Sequence, residues 1–398
     1  MASSENPPSA RPHVLTFTSL YPNQGQPRHG IFVENRMKEL VKQHPVDLTV
    51  VAPVPWFPFK GKRFGQYGIF ASIPKKEIRH NITVHHPRYL VIPKIGMNLA
   101  PLLMALSLYP FIKRLHKTHS FDLIDGHFIY PDGVVATLFG KLLKLPVINT
   151  ARGNDITLYP NYALPKKMII WAIENSNAVI SVCKFLSDEI KNLGASQENN
   201  LVMRNSVDLE LFKETAREKT RNELGLTSFT LISVGHFIER KGHHLIIEAL
   251  QQLPDSKLLL VGDGELNDQL MQQVKILNLS DRVIFTGPIP QSELSRYYSA
   301  ADCMVLASSR EGWANVLLES MACGTPVVAT KVSGTPEVVL NQTAGQLIEE
   351  RSANDIVKGT KKLLSSYPER AKVRQYAEQF DWSETTENLY SLLNKIVD

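Results

Sequence analysis

SSREGWANVLLESMACGTPVVATKVSGTPE, residues 308–337, is the stretch that decides how this chain is expected to fold. The apolar run Cys303–Ser308 that leads into it predicts a buried strand, and residues Asn315–Cys323 predict a helix. Gly324 ends that helix, and Thr325–Thr330 predicts the next buried strand. The order strand, turn, helix, strand is typical of one α/β unit in a parallel, nucleotide-binding sheet.

Two carboxylates, Glu311 and Glu319, frame this turn and helix with seven residues between them. The amides of Asn315, Val316 and Leu317 lie at the positive end of the predicted helix, where a phosphate would be stabilised. Carboxylates accept hydrogen bonds from hydroxyls, so the combination points to a sugar nucleotide. The alternative is that both glutamates are solvated surface residues, as most glutamates are. The apolar neighbours of Glu319 predict that it is buried and needs a partner, which favours a functional role.

The segments EGWANVLLE, SMACGTPVVAT and GTPE, residues 311–319, 320–330 and 334–337, resemble the retaining family 4 glycosyltransferases. That family carries a Glu-x7-Glu signature, an A-x-G-x-P-V-(V/I)-A-(T/S) strand and a G-x-x-E loop. The resemblance implies an α/β, GT-B fold in which two Rossmann-like domains face each other across a deep cleft.

The same resemblance implies roles for residues of the turn. Glu311 is the expected catalytic carboxylate, which holds the donor sugar and its developing cation, and Glu319 is expected to bind the ribose. The three residues between Glu311 and the helix are expected to line the donor-sugar site: Gly312, Trp313 and Ala314. Asn315 and Val316 are expected to bind the donor diphosphate through the helix end.

Length and composition place the chain among two-domain globular proteins. It has 398 residues, of which 43% are hydrophobic and 21% charged, which fits two domains of about 150 to 200 residues. Residues 1–12 lack an apolar core of signal-peptide type and are expected to be a disordered lead-in. Three cysteines without metal spacing predict buried free thiols in a reducing compartment: Cys183, Cys303 and Cys323.

The expected domain boundaries follow motifs. Residues 13–204 form the first, acceptor-side domain, and residues 205–378 form the second, nucleotide-sugar-binding domain. Asn205–Phe212 resembles the N-G-V-D-x-x-x-F that opens the family's second domain, with Ser206 where glycine is usual. Residues 379–398 resemble the family's last helix, which crosses back to brace the first domain.

Charge is divided unevenly between the halves: residues 1–204 carry +11 and residues 205–398 carry −6. A basic first half predicts an anionic partner, such as a phosphate-bearing acceptor or anionic lipid. Nucleic acid is not expected, because no nucleic-acid motif is visible. The apolar run Met97–Ile112 is too short to span a bilayer and predicts either a buried helix or a surface that rests among lipid headgroups. The expected location is therefore cytoplasmic, with peripheral contact at the inner face of the membrane.

The first domain opens with a strand at residues 13–20, a glycine loop, a helix at residues 31–43 and a strand at residues 46–52. Gly30 in the loop resembles the family glycine that faces the sugar or acceptor, although ordinary turn chemistry explains it equally well. Residues 53–96, rich in proline, aromatic and basic residues, are interpreted as a long loop, either an acceptor-side insertion or a solvated structural loop.

Three polar residues of the first domain are candidates for the site. His127 is predicted to follow a strand at residues 122–124, where it could act in catalysis by donating to a sugar hydroxyl or to the leaving phosphate. It also matches a family histidine near the donor sugar, although a lone histidine is more often structural. Arg152 and Asp155 belong to a turn that resembles the family's (H/R)-G-x-D, facing the cleft. Residues 178–183 are predicted as the last strand of this domain.

The second domain restarts with a strand at residues 229–234 and a glycine-rimmed loop that carries cations, which fits a diphosphate cradle. Lys241 matches the lysine of the family's G-R-x(3–5)-K-G pattern. His236 stands where arginine is usual, so Arg240 or His236 is expected to take that part. Gly287, Pro288 and Ile289 resemble the segment whose backbone reads the nucleotide base.

These features predict transfer of a sugar from a nucleoside-diphosphate sugar to an acceptor hydroxyl. The family resemblance implies a UDP- or GDP-linked donor and retention of anomeric configuration. A glycan or lipid-linked acceptor is expected by family analogy. No Asp-x-Asp pair or His/Cys/Asp cluster is visible, so neither a metal nor another cofactor is expected. Two alternatives remain open: a sugar-nucleotide epimerase of the same fold, and a non-catalytic sugar-nucleotide binding subunit.

Overall fold

The chain forms two compact units, each built around its own sheet. The computed structural model describes residues 11–92, 96–196 and 198–398. The first unit comprises the residues up to 204 together with 383–398, and the second comprises 205–382. Most of the predicted lead-in, residues 1–10, lies outside the described residues.

The first unit is built on an eight-stranded sheet in the order β10-β9-β8-β7-β1-β2-β5-β4. Every neighbouring pair is parallel except β4 with β5. A separate pair, β3 with β6, is also parallel. The strands are β1 His13–Phe17, β2 Asp47–Val51, β3 Val54–Pro55, β4 Lys76–Arg79, β5 Ile82–His85, β6 Arg88–Tyr89, β7 Leu123–His127, β8 Val147–Ala151, β9 Ala178–Ser181 and β10 Asn200–Val202.

Helices cover this sheet through apolar faces. In the first helix Val33, Met37 and Leu40 are buried, at the helical spacing that the sequence predicted. The helices are α1 Ile31–Gln43, α2 Gly65–Ser72, α3 Gly96–His119, α4 Val134–Leu143, α5 Asn154–Thr157, α6 Ala163–Glu174 and α7 Lys184–Asn192. The run around Met97 is therefore helical, and it has both a buried and an exposed side.

The interpretation of residues 53–96 as one long loop is wrong. The segment contains α2, two short strands and the hairpin β4–β5, which extends the sheet. The hairpin turns at His80 and Asn81, whose φ angles of 50° and 64° are the left-handed values that a type I′ turn requires. The turn was missed because the Asn-Gly pair that usually marks such a hairpin is absent.

Two other predictions for the first unit need correction. His127 does not follow its strand but ends β7, which runs from Leu123 to His127. The strand at residues 178–181 is not the last, since β10 pairs with it in parallel. β10 was missed because three residues, Asn200–Val202, give no clear periodicity.

The second unit is built on a fully parallel six-stranded sheet in the order β13-β12-β11-β14-β15-β16. The strands are β11 Phe229–Val234, β12 Ser256–Val261, β13 Val283–Gly287, β14 Cys303–Leu306, β15 Val327–Thr330 and β16 Gly345–Ile348. The helices are α8 Arg217–Glu223, α9 His243–Ala249, α10 Asn267–Ile276, α11 Gln291–Ala300, α12 Asn315–Ala322, α13 Ala353–Ser365 and α14 Arg370–Ala377. The strand, turn, helix and strand predicted from residues 303–330 are confirmed, as β14, α12 and β15.

A last helix, α15, runs from Trp382 to Val397, so three α-helices follow β16. Leu389, Leu392 and Leu393 of α15 are buried in the core of the first unit, beside Met37 and Leu40. All three cysteines are buried and free, as predicted.

Candidate functional site

The turn that carries Glu311 is pressed against the neighbouring cationic loop of the second unit. Gly242, which precedes α9, has φ of 71°, and a Cβ there would lie 2.2 Å from the carbonyl oxygen of Ala307. The amide of Ser309 donates to the carbonyl of Arg240 at 2.9 Å, and Arg240 Nη1 donates to the carbonyl of Arg310 at 2.9 Å. Only a glycine allows this approach, which aligns the loop after β11 with the turn after β14.

As a result the Glu311 carboxylate lies among cations. Its Oε1 accepts hydrogen bonds from Lys241 Nζ and Ser308 Oγ, each at 2.6 Å, and lies 3.3 Å from Arg240 Nη1. Burial alone would raise the pKa of Glu311, but Lys241 and Arg240 outweigh it and hold that pKa below its usual value. Glu311 is thus a nearly buried, ionised carboxylate held by two cations and a hydroxyl.

His236 does not join this group. Its side chain is 70% exposed, and its Nδ1 lies 3.7 Å from Asp263 Oδ1. Of the two candidates for the missing arginine, Arg240 is the one that lies beside Lys241 and Glu311.

Glu319 lies on α12, eight residues beyond Glu311, in a different environment. Its Oε2 accepts a hydrogen bond of 2.9 Å from the hydroxyl of Tyr298 on α11. Burial raises the pKa of Glu319 to about 7, and hydrogen bonds from Tyr298 and Gln291 only partly offset it. The predicted partner of this carboxylate is therefore a tyrosine.

The helix end offers fewer amides than the sequence suggested. Asn315 N donates to the carbonyl of Trp313 at 3.1 Å, and Leu317 N donates to that of Ala314 at 3.0 Å. Trp313 and Ala314 are buried, so they pack the turn instead of lining an open surface, and Gly312 between them and Glu311 is half-buried. The amide of Val316 takes part in neither bond and remains the best candidate for an anion contact.

The predicted base-reading residues lie at the end of β13: Gly287 is its last residue, and Pro288 and Ile289 follow it. The carbonyl of Gly287 accepts from the amide of Gly262, at 3.0 Å, in the loop after β12. Pro288 is exposed and Ile289 half-buried. The loop at residues 262–264 in turn meets the cationic loop, where Phe237 N donates to the carbonyl of Asp263 at 2.8 Å.

In the first unit, His127 is part of a buried polar cluster. Its Nε2 lies 2.9 Å from Asp125 Oδ2, and its Nδ1 lies 2.6 Å from Arg152 Nη2. A guanidinium only donates, so Nδ1 accepts and Nε2–H donates to Asp125. Burial, with a contribution from Arg152, lowers the pKa of His127 to about 4, against the pull of Asp125. His127 is therefore a neutral histidine with both ring nitrogens engaged, and it orients Arg152.

Asp155 also has a structural position. Its carboxylate is fully buried and accepts from the amides of Arg152 at 3.0 Å, Gly153 at 2.7 Å and Ile129 at 2.8 Å. These hydrogen bonds shape the turn in which Arg152 lies and engage both oxygens of the Asp155 carboxylate.

The backbone conformation just before α1 requires a glycine at position 30. It precedes α1 with φ of 69°, and a Cβ there would lie 2.2 Å from the carbonyl of Leu20. The loop can close on itself only because this residue is glycine.

Three residues of these surroundings were missed. Ser308 and Tyr298 donate to the two glutamates, and buried Asp132 accepts from the amide and hydroxyl of Ser19 at 2.5 and 2.7 Å. Ser308 could have been suspected from its position three residues before Glu311. Tyr298 and Asp132 gave no local signal, because their partners are distant in sequence.

Across the described residues, no group of three or more His, Cys, Asp or Glu side chains could hold a metal ion. In the same residues no helix is both long enough and apolar enough to cross a membrane.

Solved structures share this fold. Sucrose-phosphate synthase from Thermosynechococcus elongatus matches with a TM-score of 0.79 at 20% identity, over 97% of this chain and 99% of that one. Anabaena HepE in complex with UDP-glucose matches with a TM-score of 0.73 at 20% identity, over 97% of this chain and 100% of that one. The fold is GT-B, as predicted.

Sequence comparison gives the family. Residues 214–380 match Glycosyl transferases group 1, and residues 30–211 match Glycosyltransferase Family 4. TuaC of Bacillus subtilis, named as a teichuronic acid biosynthesis glycosyltransferase, is 30% identical over 81% of either chain. A Campylobacter jejuni N-acetylgalactosaminyltransferase, named for a diphospho-undecaprenol-linked substrate, is 29% identical over 71% of this chain and 79% of its own. The chain is therefore a member of the group 1, family 4 glycosyltransferases.

Proposed function

We propose that this protein transfers a hexosyl group from a UDP- or GDP-linked sugar to an acceptor hydroxyl, with retention of configuration and without a metal. The observation that carries the proposal is the Glu311 carboxylate held by Lys241 and Arg240 at the start of the helix that bears Glu319. Breaking the sugar–phosphate bond leaves negative charge on the diphosphate and positive charge on the anomeric carbon. Lys241 and Arg240 would stabilise the negative charge on the diphosphate, and the Glu311 carboxylate would stabilise the positive charge on the anomeric carbon.

In this proposal Lys241 and Arg240 take the diphosphate with the amide of Val316, and Glu311 faces the sugar. Glu319 binds the ribose hydroxyls, for which it must be ionised. Gly287, Pro288 and Ile289 lie against the base. In the first unit, the proposed acceptor contact is Arg152, which His127 holds in place.

A glycan acceptor, free or lipid-linked, is supported by relatives whose names refer to teichuronic acid and to a diphospho-undecaprenol glycan. A nucleotide-sugar donor is supported by the structural match to HepE with UDP-glucose. The cations held by Glu311 make metal-independent charge neutralisation of the diphosphate feasible.

The test is a nucleotide-release assay with UDP- and GDP-sugars, with and without glycan acceptors, followed by NMR of the product's anomeric proton. We expect release that depends on acceptor, an unchanged anomeric configuration and full activity in EDTA. Epimerised donor formed without acceptor, an inverted product, or activity restored only by a divalent ion would contradict the corresponding part of the proposal. A matched pair, Glu319→Gln and Glu337→Gln, tests the site: only the first should weaken donor binding in calorimetry.

A further inference from the structure

One side of α3 exposes leucines on successive turns. Met104 and Leu108 on the inner side are fully buried, whereas Leu99, Leu102 and Leu106 are 40%, 51% and 67% exposed. The spacings of three and four residues place the exposed leucines in one line along the helix. Scattered exposed leucines are ordinary, but an aligned set indicates a surface with a partner.

The same line becomes cationic further along the helix. Pro110, Lys113 and Lys117 continue it at spacings of four, three and four residues, and all three are exposed. From Leu99 to Lys117 the line is about 27 Å long at 1.5 Å per residue. Its polarity therefore changes along the helix axis, from hydrocarbon at one end to ammonium groups at the other.

Exposed aromatic residues lie beside this helix. Trp56 and Phe59 are 51% and 56% exposed, and Phe57, Phe59 and Tyr67 form a ring cluster with centroids 5.5 to 6.1 Å from Phe57. A pocket of about 380 Å³ joins the cluster to the helix, lined by Tyr67, Leu90, Ile92, Ala100 and Leu103 among others. We call the exposed residues of this surface the apolar platform: Trp56, Phe59, Tyr67, Leu90, Ile92, Leu99, Leu102 and Leu106.

The sequence around the apolar platform contains almost no acidic residues. Between Asp47 and Asp122 the single carboxylate is Glu77, against eleven lysines and arginines. Glu77 is itself engaged, since its Oε1 lies 2.6 Å from Nε2 of His86. The partner of this surface is therefore anionic as well as apolar. Nucleic acid has negative charge but no apolar region for the leucines, whereas an anionic bilayer has both negative charge and an apolar region.

We propose that the apolar platform docks on an anionic lipid surface, with the leucines of α3 in the acyl region and Lys113 and Lys117 at the phosphates. The exposed aromatic residues would lie at headgroup depth, where amphipathic rings are favoured. This inference rests on the proposed function in one respect: membrane docking would bring the enzyme to a lipid-linked acceptor.

The apolar part is tested by flotation with vesicles of phosphatidylglycerol and phosphatidylcholine. The double variant Leu102→Ser, Leu106→Ser should bind the vesicles at least about tenfold more weakly. The reason is that two leucine side chains are no longer transferred from water into the bilayer. Leu142→Ser is the matched control, since Leu142 is 57% exposed on α4, outside the platform. Equal loss in the control, or no loss in the double variant, overturns the proposal.

The electrostatic part uses the same vesicles at two salt concentrations. Lys113→Gln with Lys117→Gln should weaken binding about tenfold at low salt and less at high salt. The control is Lys42→Gln with Lys191→Gln, whose side chains are 64% and 68% exposed elsewhere on the first unit. Undiminished binding of the Lys113 and Lys117 variant, or equal binding to pure phosphatidylcholine, overturns the proposal.

Two further readouts separate the explanations. A parent dimer that becomes monomeric in the leucine variant, measured by light scattering without lipid, would mean that a second copy covers the platform and would overturn the proposal. All variants should keep the parent's nucleotide affinity. Vesicle binding by a protein that binds no sugar nucleotide would leave the docking surface standing and refute the proposed function alone.

Discussion

Glu311 and Glu319 are the same residue type on one turn and helix, yet their surroundings give them different charge behaviour. Two cations and a hydroxyl surround Glu311 and keep its pKa low. Glu319 has a tyrosine hydroxyl and apolar neighbours, and burial raises its pKa to about 7. The first is suited to face positive charge at any physiological pH, and the second requires neutral pH to accept hydroxyl hydrogen bonds fully.

This difference predicts a pH-dependent stability that belongs to Glu319. Its pKa is raised from 4.5 to about 7 on folding, so its favourable contribution is full at low pH and is lost as the pH rises through that interval. Glu319→Gln keeps an acceptor for Tyr298 and removes the titration. The melting temperature of the variant relative to the parent should therefore rise between about pH 5 and about pH 7. A difference that stays constant over this range would contradict the raised pKa.

A second prediction concerns the pair of Lys241 and Glu311. Lys241→Met leaves a nearly buried carboxylate with less compensation, and we expect a loss of about 2 kcal/mol in the free energy of unfolding. Glu311→Gln in the same chain removes the uncompensated charge, so the double variant should recover most of that loss. Urea unfolding of the two single variants and the double variant measures the coupling. Additive losses would show that the pair is not coupled.

At this scale the sequence identified residues that share a local motif. Lys241 and Glu311 were found because each lies in a glycine-containing turn after a buried strand. The hydrogen-bond partners of His127 and Asp155 could not be predicted, because they depend on which polar groups meet in the folded core. Both are engaged by neighbours, Arg152 among them, that local spacing does not reveal.

At the scale of elements, periodicity located the long helices and the buried strands of both sheets, and α1 and β11 have the predicted bounds. It failed for the hairpin β4–β5, whose turn lacks glycine, and for the three-residue strand β10. Short edge strands bury few residues, so their pattern is too brief to separate from a loop.

The start of α1 provides a prediction about one element. Gly30→Ala would place a Cβ 2.2 Å from the carbonyl of Leu20 at φ of 69°, and should cost more than about 2 kcal/mol in unfolding free energy. Gly194→Ala is the matched control, because Gly194 has φ of 81° but no atom within 4 Å of the added Cβ. It should cost only about 1 kcal/mol. Equal losses in urea unfolding would show that the close approach does not matter.

At the scale of the molecule, the chain contributes to the first unit twice. It leaves at residue 204, builds the second unit and returns at residue 383 with α15. The leucines of α15 then complete a core whose other buried members, Met203 included, lie more than 180 residues earlier in the chain. Hydrogen bonds fix the return: Thr386 Oγ1 donates to Gln43 Oε1 at 2.8 Å, and Thr385 Oγ1 to the carbonyl of Arg204 at 3.2 Å.

Because α15 completes the core of the first unit, a cavity made by a substitution in α15 should destabilise that unit, which is formed mainly by residues before 205. Leu389 is 1% exposed, so Leu389→Ala should cost about 3 kcal/mol, whereas Val397→Ala, at a position 37% exposed on the same helix, should cost under about 0.5 kcal/mol. Urea unfolding gives the loss, and hydrogen exchange with mass spectrometry locates it. Faster exchange in α1 and β1, with α12 unchanged, is expected for Leu389→Ala. Faster exchange confined to residues 205–382 would mean that α15 supports the second unit instead.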